Sequence, residues 1–591
     1  MSESRLLTGS AVLARILQIL DVGIVFSYAG TSELSICRSL AAARGICVLN
    51  SCGDKEAVFM GAGANLAKPR WAVTILHGAR GLTNATGAIA DVRRNEIGVL
   101  CIVGLPSTTS APFLPPHGEH GLIEMIGNFA VWSTEVGVGR SMEDAREFVA
   151  TLFRAMDRVA ARPFGPVIVG IPQDAAEDSW IPDSFLEGVE RQSSHPHVND
   201  LRLFSNAVAE IERSRATLVL VDDYFLRHRD AKAVLAEFCL RSGSVVAQVR
   251  YRRGPMLFEQ VTAADVPYFG GAWPPTWDAK ENLVKFMGVL DLLITLEDRN
   301  FYPRVVGELP EVRKIAITSV PKLTAKNGYL ASSDLLLEGP PTTVLKDITA
   351  ALGDRLIGPP CWSEPIDPRP SELGDLEYCR NGIVNALIDG LESVESPYLV
   401  DDSQTFGGLI AEYYHLLPKG LRVFGDHGGF VGSGAGFAAG LALARAKPAV
   451  LCLLGDSGFV NGIQTLGMVG GINPPVTYVV CNNGGSVSLR IQSAYEGDLE
   501  AATYLENRSC AHYAEIARGF GIPATSIRID SWPNGSANKL ALDQFRHSLR
   551  EYLQTGGTRL IELCLPSHPD FWAGLWQPYG LDESPRKYVR R

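Results

Sequence analysis

Residues 453–485 read LLGDSGFVNGIQTLGMVGGINPPVTYVVCNNGG, and this stretch decides the fold class of the chain. One apolar run ends at Gly455, a helix-length segment follows, and a second apolar run ends in two asparagines, Asn482 and Asn483. The pattern is typical of a strand, a helix and a second, parallel strand, with both polar turns at the carboxyl edge of the sheet. We therefore predict that Asp456 in the first turn and Asn483 in the second lie at an edge where ligands bind.

The two turns carry the groups that a magnesium-bound diphosphate requires. The carboxylate of Asp456, the amide oxygen of Asn483 and the backbone carbonyl of Gly485 are hard oxygen ligands for Mg²⁺, and phosphate oxygens fill further positions. Gly455 and Gly458 allow backbone N–H groups to approach a diphosphate, and the helix that follows offers its positive N-terminal end. Either turn alone would be read as an ordinary surface turn.

Short apolar runs alternate with helix-length segments along the rest of the chain as well. They fall into three segments, residues 1–185, 200–355 and 376–591, separated by a polar stretch at 183–200 and a proline-rich stretch at 356–375. This alternation predicts parallel sheets covered by helices on both faces. The predicted fold is therefore α/β, with three doubly wound parallel-sheet domains.

Composition and charge limit the classes of function. The chain has 591 residues and a net charge of −11, so we expect several domains and no broad basic surface for nucleic acid. Its eleven cysteines are scattered without a CxxC pair, which favours reduced thiols over disulfides or a zinc site. The N-terminus lacks a signal-peptide layout, and no apolar stretch near twenty residues long is free of polar interruption. We therefore expect a cytoplasmic protein without a membrane span.

Taken together, the two turns resemble the GDG…NN signature of thiamine-diphosphate-dependent enzymes. This chain has GDSG where the family usually has GDG, and Ser457 could donate a hydrogen bond to phosphate or to the cofactor ring. The resemblance is to the 2-oxo acid decarboxylase and acetolactate synthase family, and it runs across the first and third segments. It implies thiamine diphosphate and Mg²⁺ as cofactors, and pyrimidine-binding, central and diphosphate-binding domains in that order. FAD, which some relatives bind in the central domain, is neither supported nor excluded.

The same resemblance assigns residues in the first segment. A family glutamate that hydrogen-bonds the aminopyrimidine ring corresponds to Glu56 in NSCGDKEAVFMGAGANLA, residues 50–67. The stretch LHGARGLTNATGAIADVRR, residues 76–94, resembles benzoylformate decarboxylase and has His77 where that family has a proton-transferring histidine. Thr31 stands where a substrate-contacting serine is expected. His120, in PPHGEHGLIEM, aligns with a loop that carries histidines in decarboxylases and glutamine in acetolactate synthases.

One position beside the cofactor departs from the family pattern. The family places a bulky apolar residue beneath the cofactor, whereas GFVGSGAGFAAGLALA, residues 429–444, has Ala435 or the glycine before it at that position. The departure leaves three alternatives: another side chain, such as Phe430 or Phe437, makes the contact; the pocket is wider; or the activity is weakened. Asp426 and His427, just upstream, have no counterpart in the family pattern and could face the vacated space.

The resemblance implies decarboxylation of a 2-oxo acid, after which the enamine is protonated or ligated; aromatic, branched aliphatic and small acids all stay open as substrates. Glu56 would activate the cofactor, His77 and His120 would relay protons, and Thr31 would hold the substrate carboxylate. The alternatives are an acetolactate synthase-like carboligase, which transfers the acyl group to a second carbonyl, and a cofactor-binding protein without catalysis. A nicotinamide oxidoreductase is disfavoured, because no GxGxxG follows a strand with an acidic residue some twenty positions later.

The resemblance also implies an oligomer. In the family, the pyrimidine is bound by the first domain of one subunit and the diphosphate by the third domain of another. We therefore expect a homodimer or homotetramer with active sites at the subunit interface, where Glu56 and Asp456 of different subunits meet. In the central segment, the second active-site histidine of benzoylformate decarboxylase has no convincing match, and Tyr302 is a weak candidate near that place.

Overall fold

The structure is a computed structural model of the chain. The residues it describes are 5–138, 141–187, 200–228, 230–249, 257–274, 281–354, 358–360, 375–445, 449–495, 501–506, 512–531, 534–572 and 575. Most of the two predicted linkers, at 183–200 and 356–375, lies outside these ranges. The domain boundaries placed there therefore stay predictions.

The first domain is built around a parallel sheet. Its elements are β1 (Leu6–Thr8), α1 (Gly9–Ile19), β2 (Ile24–Tyr28), α2 (Leu34–Ala42), β3 (Cys47–Asn50), α3 (Asp54–Ala67), β4 (Ala72–Leu76), α4 (Gly78–Arg94), β5 (Val99–Leu105), β6 (Trp132–Glu135), α5 (Met142–Ala160), β7 (Pro166–Pro172), α6 (Gln173–Glu177) and β8 (Ser179–Pro182). Within the described residues the sheet has six strands in the order β3-β2-β4-β5-β7-β6, while β1 and β8 pair antiparallel beside it. Strands β4 and β5 are buried along their whole length, which explains their continuous apolar sequences.

The central domain has a second parallel sheet with a different strand order. Its elements are α7 (Leu201–Arg213), β9 (Thr217–Val221), α8 (Asp223–Leu226), α9 (Ala231–Ser242), β10 (Val245–Val249), β11 (Phe269–Trp273), α10 (Glu281–Met287), β12 (Leu292–Leu296), α11 (Pro303–Val306), β13 (Arg313–Thr318), α12 (Pro321–Asn327), β14 (Leu335–Glu338) and α13 (Pro341–Leu352). The order β11-β10-β9-β12-β13-β14 reverses between β9 and β12. In sheets of this kind, ligands bind at the carboxyl edge where the order reverses.

The third domain repeats the strand order of the first. Its elements are α14 (Asp375–Glu392), β15 (Tyr398–Asp402), α15 (Thr405–Glu412), β16 (Arg422–Gly425), α16 (Gly434–Ala444), β17 (Val450–Gly455), α17 (Asp456–Asn461), α18 (Thr465–Ile472), β18 (Val476–Asn482), α19 (Val487–Tyr495), α20 (Tyr513–Gly519), β19 (Ala524–Arg528), α21 (Lys539–Thr555), β20 (Arg559–Cys564) and α22 (Pro569–Trp572). The sheet order is β16-β15-β17-β18-β20-β19. Strands β17 and β18 are parallel neighbours, paired up to Gly455 and Cys481, as the sequence of this unit predicts.

Short 3₁₀ helices connect these elements at several points. Those within the described residues are Thr31–Glu33, Ala111–Phe113, Glu124–Phe129, Asp183–Leu186, Tyr414–Leu416, Ala501–Leu505 and Gly535–Asn538. The first of them follows β2 and leads directly into α2.

Helices α3 and α16 join the first and third domains. Each follows the second strand of its sheet, and their glycines allow the two backbones to approach closely. A side chain on Gly436 would lie 2.7 Å from Cβ of Phe59, and one on Gly440 would meet the backbone carbonyl of Met60. Apolar residues of both domains consequently form one continuous hydrophobic core around the two helices. The two domains therefore pack as a single unit.

The prediction of an α/β fold with three doubly wound parallel-sheet domains is confirmed, since each predicted segment contains one six-stranded parallel sheet in the residues described. No helix within those ranges is both long and apolar enough to cross a membrane. The nine cysteines that fall within the described ranges are all free.

Candidate active site

The first turn of the quoted stretch lies where β17 meets α17. Asp456 begins the helix and is 4% exposed, and the backbone N–H of Ser457 donates to its Oδ1 at 2.7 Å. Burial raises the pKa of Asp456, and hydrogen bonds from the backbone N–H groups of Ser457 and Gly485 partly offset that rise. The Asp456 side chain therefore connects the two polar turns, which lie together at the carboxyl edge of the sheet.

The second turn follows β18. Asn482 ends this strand, and its Nδ2 donates to Oε1 of buried Glu562 at 2.8 Å. Asn483 is 8% exposed, and within the described part of the chain its side chain has no hydrogen bond. Gly484 and Gly485 have φ of +83° and +95°, which glycine adopts without strain. The two asparagines thus differ, because Asn482 is hydrogen-bonded to Glu562 whereas Asn483 has no such side-chain partner among the described residues.

The chemistry of these donors suits a cation shared with a phosphate. One carboxylate (Asp456), one amide oxygen (Asn483) and one backbone carbonyl (Gly485) leave coordination positions for phosphate oxygens, as Mg²⁺ requires. Among the described residues, no group of three or more His, Cys, Asp and Glu side chains could hold a metal ion. A buried carboxylate whose pKa is raised by burial gains stability from a cation placed beside it.

Glu56 lies in the first turn of α3 and is 1% exposed. Nζ of Lys55 is 3.0 Å from its Oε1 and also donates to the backbone carbonyl of Asn461 at 2.7 Å. With the Gln464 amide oriented so that its nitrogen faces Glu56, that nitrogen donates to both carboxylate oxygens at 3.2 Å. The start of α3 in the first domain is therefore held against the segment that links α17 and α18 in the third domain of the same chain, whereas the sequence led us to expect this contact between subunits.

His77 immediately precedes α4 and is held by a buried carboxylate. Its Nδ1 lies 2.8 Å from Oε2 of Glu33, which is fully buried. The backbone N–H of Gly30 donates to Oε2 of Glu33 at 2.8 Å, and that of Gly78 donates to Oε1 at 3.2 Å. Thr31, two residues before Glu33 in the same 3₁₀ helix, is exposed. The sequence predicted His77 and Thr31 as residues of the active site but did not indicate Glu33.

A second histidine lies against His77, and it is not the one selected from the sequence. The ring centroids of His77 and His117 are 4.3 Å apart. The backbone carbonyl of His117 accepts a hydrogen bond from the N–H of Ala79 at 2.9 Å, which fixes the loop to α4. His120 lies three residues further along that loop and is exposed. Its proposed role stays a prediction, and His117 joins the candidates.

Comparison with known protein families matches the two halves of this site separately. Residues 7–128 match the N-terminal TPP binding domain of thiamine pyrophosphate enzymes. Residues 406–563 match the C-terminal TPP binding domain of the same enzymes. The chain belongs to the thiamine pyrophosphate enzyme family. Glu56 and His77 fall in the first matched region, and Asp456 and Asn483 fall in the second.

Relatives of this thiamine pyrophosphate enzyme extend over nearly the whole chain. Acetolactate synthase isozyme 2 large subunit of Escherichia coli is 22% identical, over 96% of this chain and 97% of its own length. Acetolactate synthase 1, chloroplastic, of Oryza sativa is 22% identical, over 94% of this chain and 84% of its own length.

Solved structures of thiamine pyrophosphate enzymes share the fold. The thiamine diphosphate-dependent 4-hydroxybenzoylformate decarboxylase of Rhodococcus jostii RHA1 has a TM-score of 0.74 at 17% identity, covering 95% of this chain and 100% of its own. Benzoylformate decarboxylase from Polynucleobacter necessarius has a TM-score of 0.71 at 18% identity, covering 95% of this chain and 99% of its own. At 17% and 18% sequence identity, the similarity shows a shared fold and nothing more.

The position that departs from the pattern of thiamine pyrophosphate enzymes lies in the first turn of α16. Ala435 is 2% exposed, and its backbone carbonyl accepts a hydrogen bond from the hydroxyl of Tyr478 at 3.2 Å. Phe437 is fully buried, and its ring centroid is 5.3 Å from that of Phe59. Phe430 packs on the same Phe59 ring at 5.2 Å. Both candidate replacements therefore contact the first domain, and the three alternatives for this position stay predictions.

Two upstream residues lie elsewhere than expected. The ring of His427 is stacked between Tyr224 and Phe258, with centroid distances of 4.4 Å to each. Asp426 is buried and accepts a hydrogen bond from Nδ2 of Asn95 at 2.6 Å. The idea that His427 faces a space vacated beneath the cofactor is wrong, because its two ring faces are filled by aromatic side chains of the central domain.

An acidic side chain lies in the central domain at the point where the strand order reverses. Asp222 follows β9 and caps α8, so a carboxylate occupies the helix N-terminus where a dinucleotide pyrophosphate would bind. The backbone N–H of Asn300 donates to Asp222 at 2.7 Å. Arg299 pairs with both oxygens of Glu96 from the first domain, at 2.7 and 3.0 Å. Tyr302, the weak candidate from the sequence, directly precedes α11 and is partly exposed.

Proposed function

We propose that this protein binds thiamine diphosphate and Mg²⁺ and decarboxylates a 2-oxo acid. The observation that carries the proposal is the meeting of two polar turns at one sheet edge, where Asp456 hydrogen-bonds the backbone of Gly485 and Asn483 lies buried with its side chain unpaired among the described residues. The buried carboxylate of Glu56, at the start of α3, supplies the other half of a thiamine diphosphate site.

The residues of the third domain would hold the diphosphate end. Asp456, Asn483 and the Gly485 carbonyl would bind Mg²⁺, and the backbone around Gly455, Ser457 and Gly458 would face the phosphates at the start of α17. Once bound, thiamine diphosphate supplies the carbon nucleophile and the electron sink for breaking the bond next to a 2-oxo carbon. Glu56 would hydrogen-bond the aminopyrimidine and exchange its proton.

The residues of the first domain would handle the substrate. His77 would transfer protons, a role supported by its fixed contact with Glu33 and by the neighbouring ring of His117. Thr31 would hold the substrate carboxylate, because its exposed side chain lies at the start of the 3₁₀ helix that ends at Glu33. His120 remains a second proposed proton carrier on the loop that includes His117.

We also propose that the chain forms a homodimer or homotetramer in which the active sites border the subunit interface. Large apolar side chains are exposed beside both half-sites of the single chain. Tyr28 and Leu34, on either side of Thr31, are 45% and 53% exposed, and Val460, in α17 with Asp456, is 53% exposed. A second copy of the chain would cover these exposed side chains, which flank the place where Glu56 meets the third domain of its own chain.

Replacing Asp456 by alanine tests the proposed cofactor site. We expect Mg²⁺-dependent binding of thiamine diphosphate to weaken by at least about 100-fold, since a direct metal ligand is lost. Titration calorimetry of the wild type and the variant measures this change. Asp543→Ala is the control, because that side chain in α21 is 55% exposed and far in sequence from either turn. A wild-type protein that binds no thiamine diphosphate with Mg²⁺ present would overturn the proposal.

An acetolactate synthase-like carboligase is the second candidate function. It is favoured by the 22% identity to acetolactate synthase isozyme 2, which extends over 96% of this chain and 97% of that protein. The two reactions differ in whether a proton or a second carbonyl receives the acyl carbon. Incubation of the enzyme with a 2-oxo acid, with and without an acceptor aldehyde or ketone, distinguishes them by the product. Binding of cofactor without either product would indicate a cofactor-binding protein without catalysis.

The purified protein is expected to contain no FAD. The acidic cap at Asp222 disfavours a pyrophosphate, and the guanidinium of nearby Arg299 is already paired with Glu96. Visible absorbance of the purified protein and a fluorescence titration with FAD measure this directly. A stoichiometric flavin that survives gel filtration would contradict the prediction.

A further inference from the structure

Glu33 is a buried carboxylate whose two oxygens both face N–H donors. Oε1 accepts from the backbone N–H of Gly78, while Oε2 accepts from the backbone N–H of Gly30 and faces Nδ1 of His77. His77 is its one ion-pair partner among the described residues, at 2.8 Å. Burying a carboxylate without a lysine or arginine beside it destabilises the folded state. If this turn had only a structural role, an apolar or amide side chain at position 33 would destabilise it less.

The backbone around this pair is shaped to admit it. A side chain on Gly30 would collide with the imidazole ring of His77, and a side chain on Gly104, in β5, would collide with the carboxylate of Glu33. Glycine at these two positions lets the histidine and the glutamate approach each other directly over the carboxyl edge of the sheet. The pair is therefore built into the ends of β2, β4 and β5.

The contact selects one tautomer of the imidazole. An ionised carboxylate only accepts hydrogen bonds, so Nδ1 of His77 must carry the hydrogen that points at Glu33. Nε2 is then the ring nitrogen that exchanges a proton with a substrate. The other groups around the ring are Asp54, whose Oδ1 accepts from the backbone N–H of His77 at 3.4 Å, and the ring of His117 at 4.3 Å.

We propose that Glu33 is the positioning residue of His77, fixing its ring and its Nδ1–H tautomer so that Nε2 is presented for proton transfer. The claim that a substrate exchanges the proton with Nε2 rests on the proposed function. The tautomer of His77 does not, because it follows from the contact with Glu33 alone. Glutamine at position 33 cannot replace the carboxylate, because its amide nitrogen donates hydrogen bonds and does not accept them. That nitrogen would face either the backbone N–H of Gly78, or both the backbone N–H of Gly30 and Nδ1 of His77. In the second case, Nδ1 of His77 becomes an acceptor and Nε2 carries the hydrogen.

The test uses the full-length chain, with its histidines labelled with ¹⁵N, with and without thiamine diphosphate and Mg²⁺. We expect the wild type to show His77 with Nδ1 protonated and Nε2 unprotonated at alkaline pH, assigned by its loss in His77→Gln. Glu33→Gln is expected to populate the Nε2–H tautomer and to lower kcat by about 10²- to 10⁴-fold, with cofactor affinity unchanged. Glu33→Asp, which keeps an acceptor-only group, is expected to recover the wild-type tautomer in part.

Glu119→Gln is the control, because Glu119 lies on the same loop as His117, is 46% exposed and pairs only with exposed Arg80 among the described residues. A wild-type spectrum with the Nε2–H tautomer at His77 would overturn the proposal even if neither Glu33 variant folds. So would an unchanged kcat in Glu33→Gln. A chain that binds no thiamine diphosphate but shows the expected tautomer would instead refute the proposed function while leaving the role of Glu33 standing.

Discussion

Replacing Glu56 by glutamine is expected to slow exchange of the C2 proton of bound thiamine diphosphate by about 10²- to 10⁴-fold, because the group that exchanges a proton with the aminopyrimidine is lost. The fold should be unaffected. Glutamine has the same shape, Gln464 can turn its amide to face the new side chain, and Lys55 keeps its hydrogen bond to the Asn461 carbonyl. Proton exchange in deuterated water, followed by NMR after acid quench, measures the rate.

The matched control is Glu143→Gln. Glu143 is also a glutamate in the first turn of a first-domain helix, α5, but it is exposed. The control therefore reproduces the loss of a negative charge near a helix N-terminus without touching the site. Equal exchange rates in wild type and Glu56→Gln would contradict the assignment of Glu56. Loss of cofactor binding in the same variant would show that Glu56 binds the cofactor rather than activates it.

The meeting of the two polar turns could be predicted from sequence because all the parts involved are local. The strand that ends at Gly455 and the strand that ends at Asn482 are adjacent in both sequence and sheet, so their turns meet by topology alone. Fully buried parallel strands also read as continuous apolar runs, which made the three sheets recognisable. Glu56 was assigned from the resemblance to the family, and the structure places it in the first turn of the helix after β3, while its role stays a prediction.

The histidine half could be predicted only in part, because its contacts are distant in sequence. Glu33 and His77 are 44 residues apart, and nothing in the pattern around Glu33 distinguishes it from a glutamate at a helix start. His117 and His120 lie three residues apart in one loop, and backbone geometry decides which of them faces inward. His117 has φ of +74°, a value uncommon for residues other than glycine. A search for a carboxylate near each candidate histidine would have found Glu33 only once the topology was known.

Contacts between domains were the least predictable part. Asp426 and His427 directly follow the end of β16, just as Asp456 follows the end of β17. The sequence therefore allowed them to face the cofactor. In the structure they lie where the three domains meet. Asp426 accepts a hydrogen bond from Asn95 of the first domain, and His427 stacks on Tyr224 of the central domain. No local pattern records which strand-end residues face a ligand and which face another domain.

Replacing Gly440 by alanine is expected to destabilise the protein by about 3 kcal/mol, at the upper end of the range for overpacking, because the new methyl group would meet the backbone carbonyl of Met60. Backbone is less able than a side chain to move aside. Alanine is otherwise favoured over glycine in a helix by about 1 kcal/mol, so any net loss must come from the contact between α16 and α3. Urea unfolding of the wild type and the variant, followed by circular dichroism, measures the change.

Gly471→Ala is the matched control for this prediction. Gly471 is also a helical glycine of the third domain, in α18, and an added methyl group there would meet nothing within 4 Å. We expect it to leave stability unchanged or to raise it by up to about 1 kcal/mol. Because α3 carries Glu56 and packs on α16, Gly440→Ala should also weaken cofactor binding, whereas Gly471→Ala should not. Equal stability of the two variants would mean that the close approach of α3 and α16 does not hold the first and third domains together.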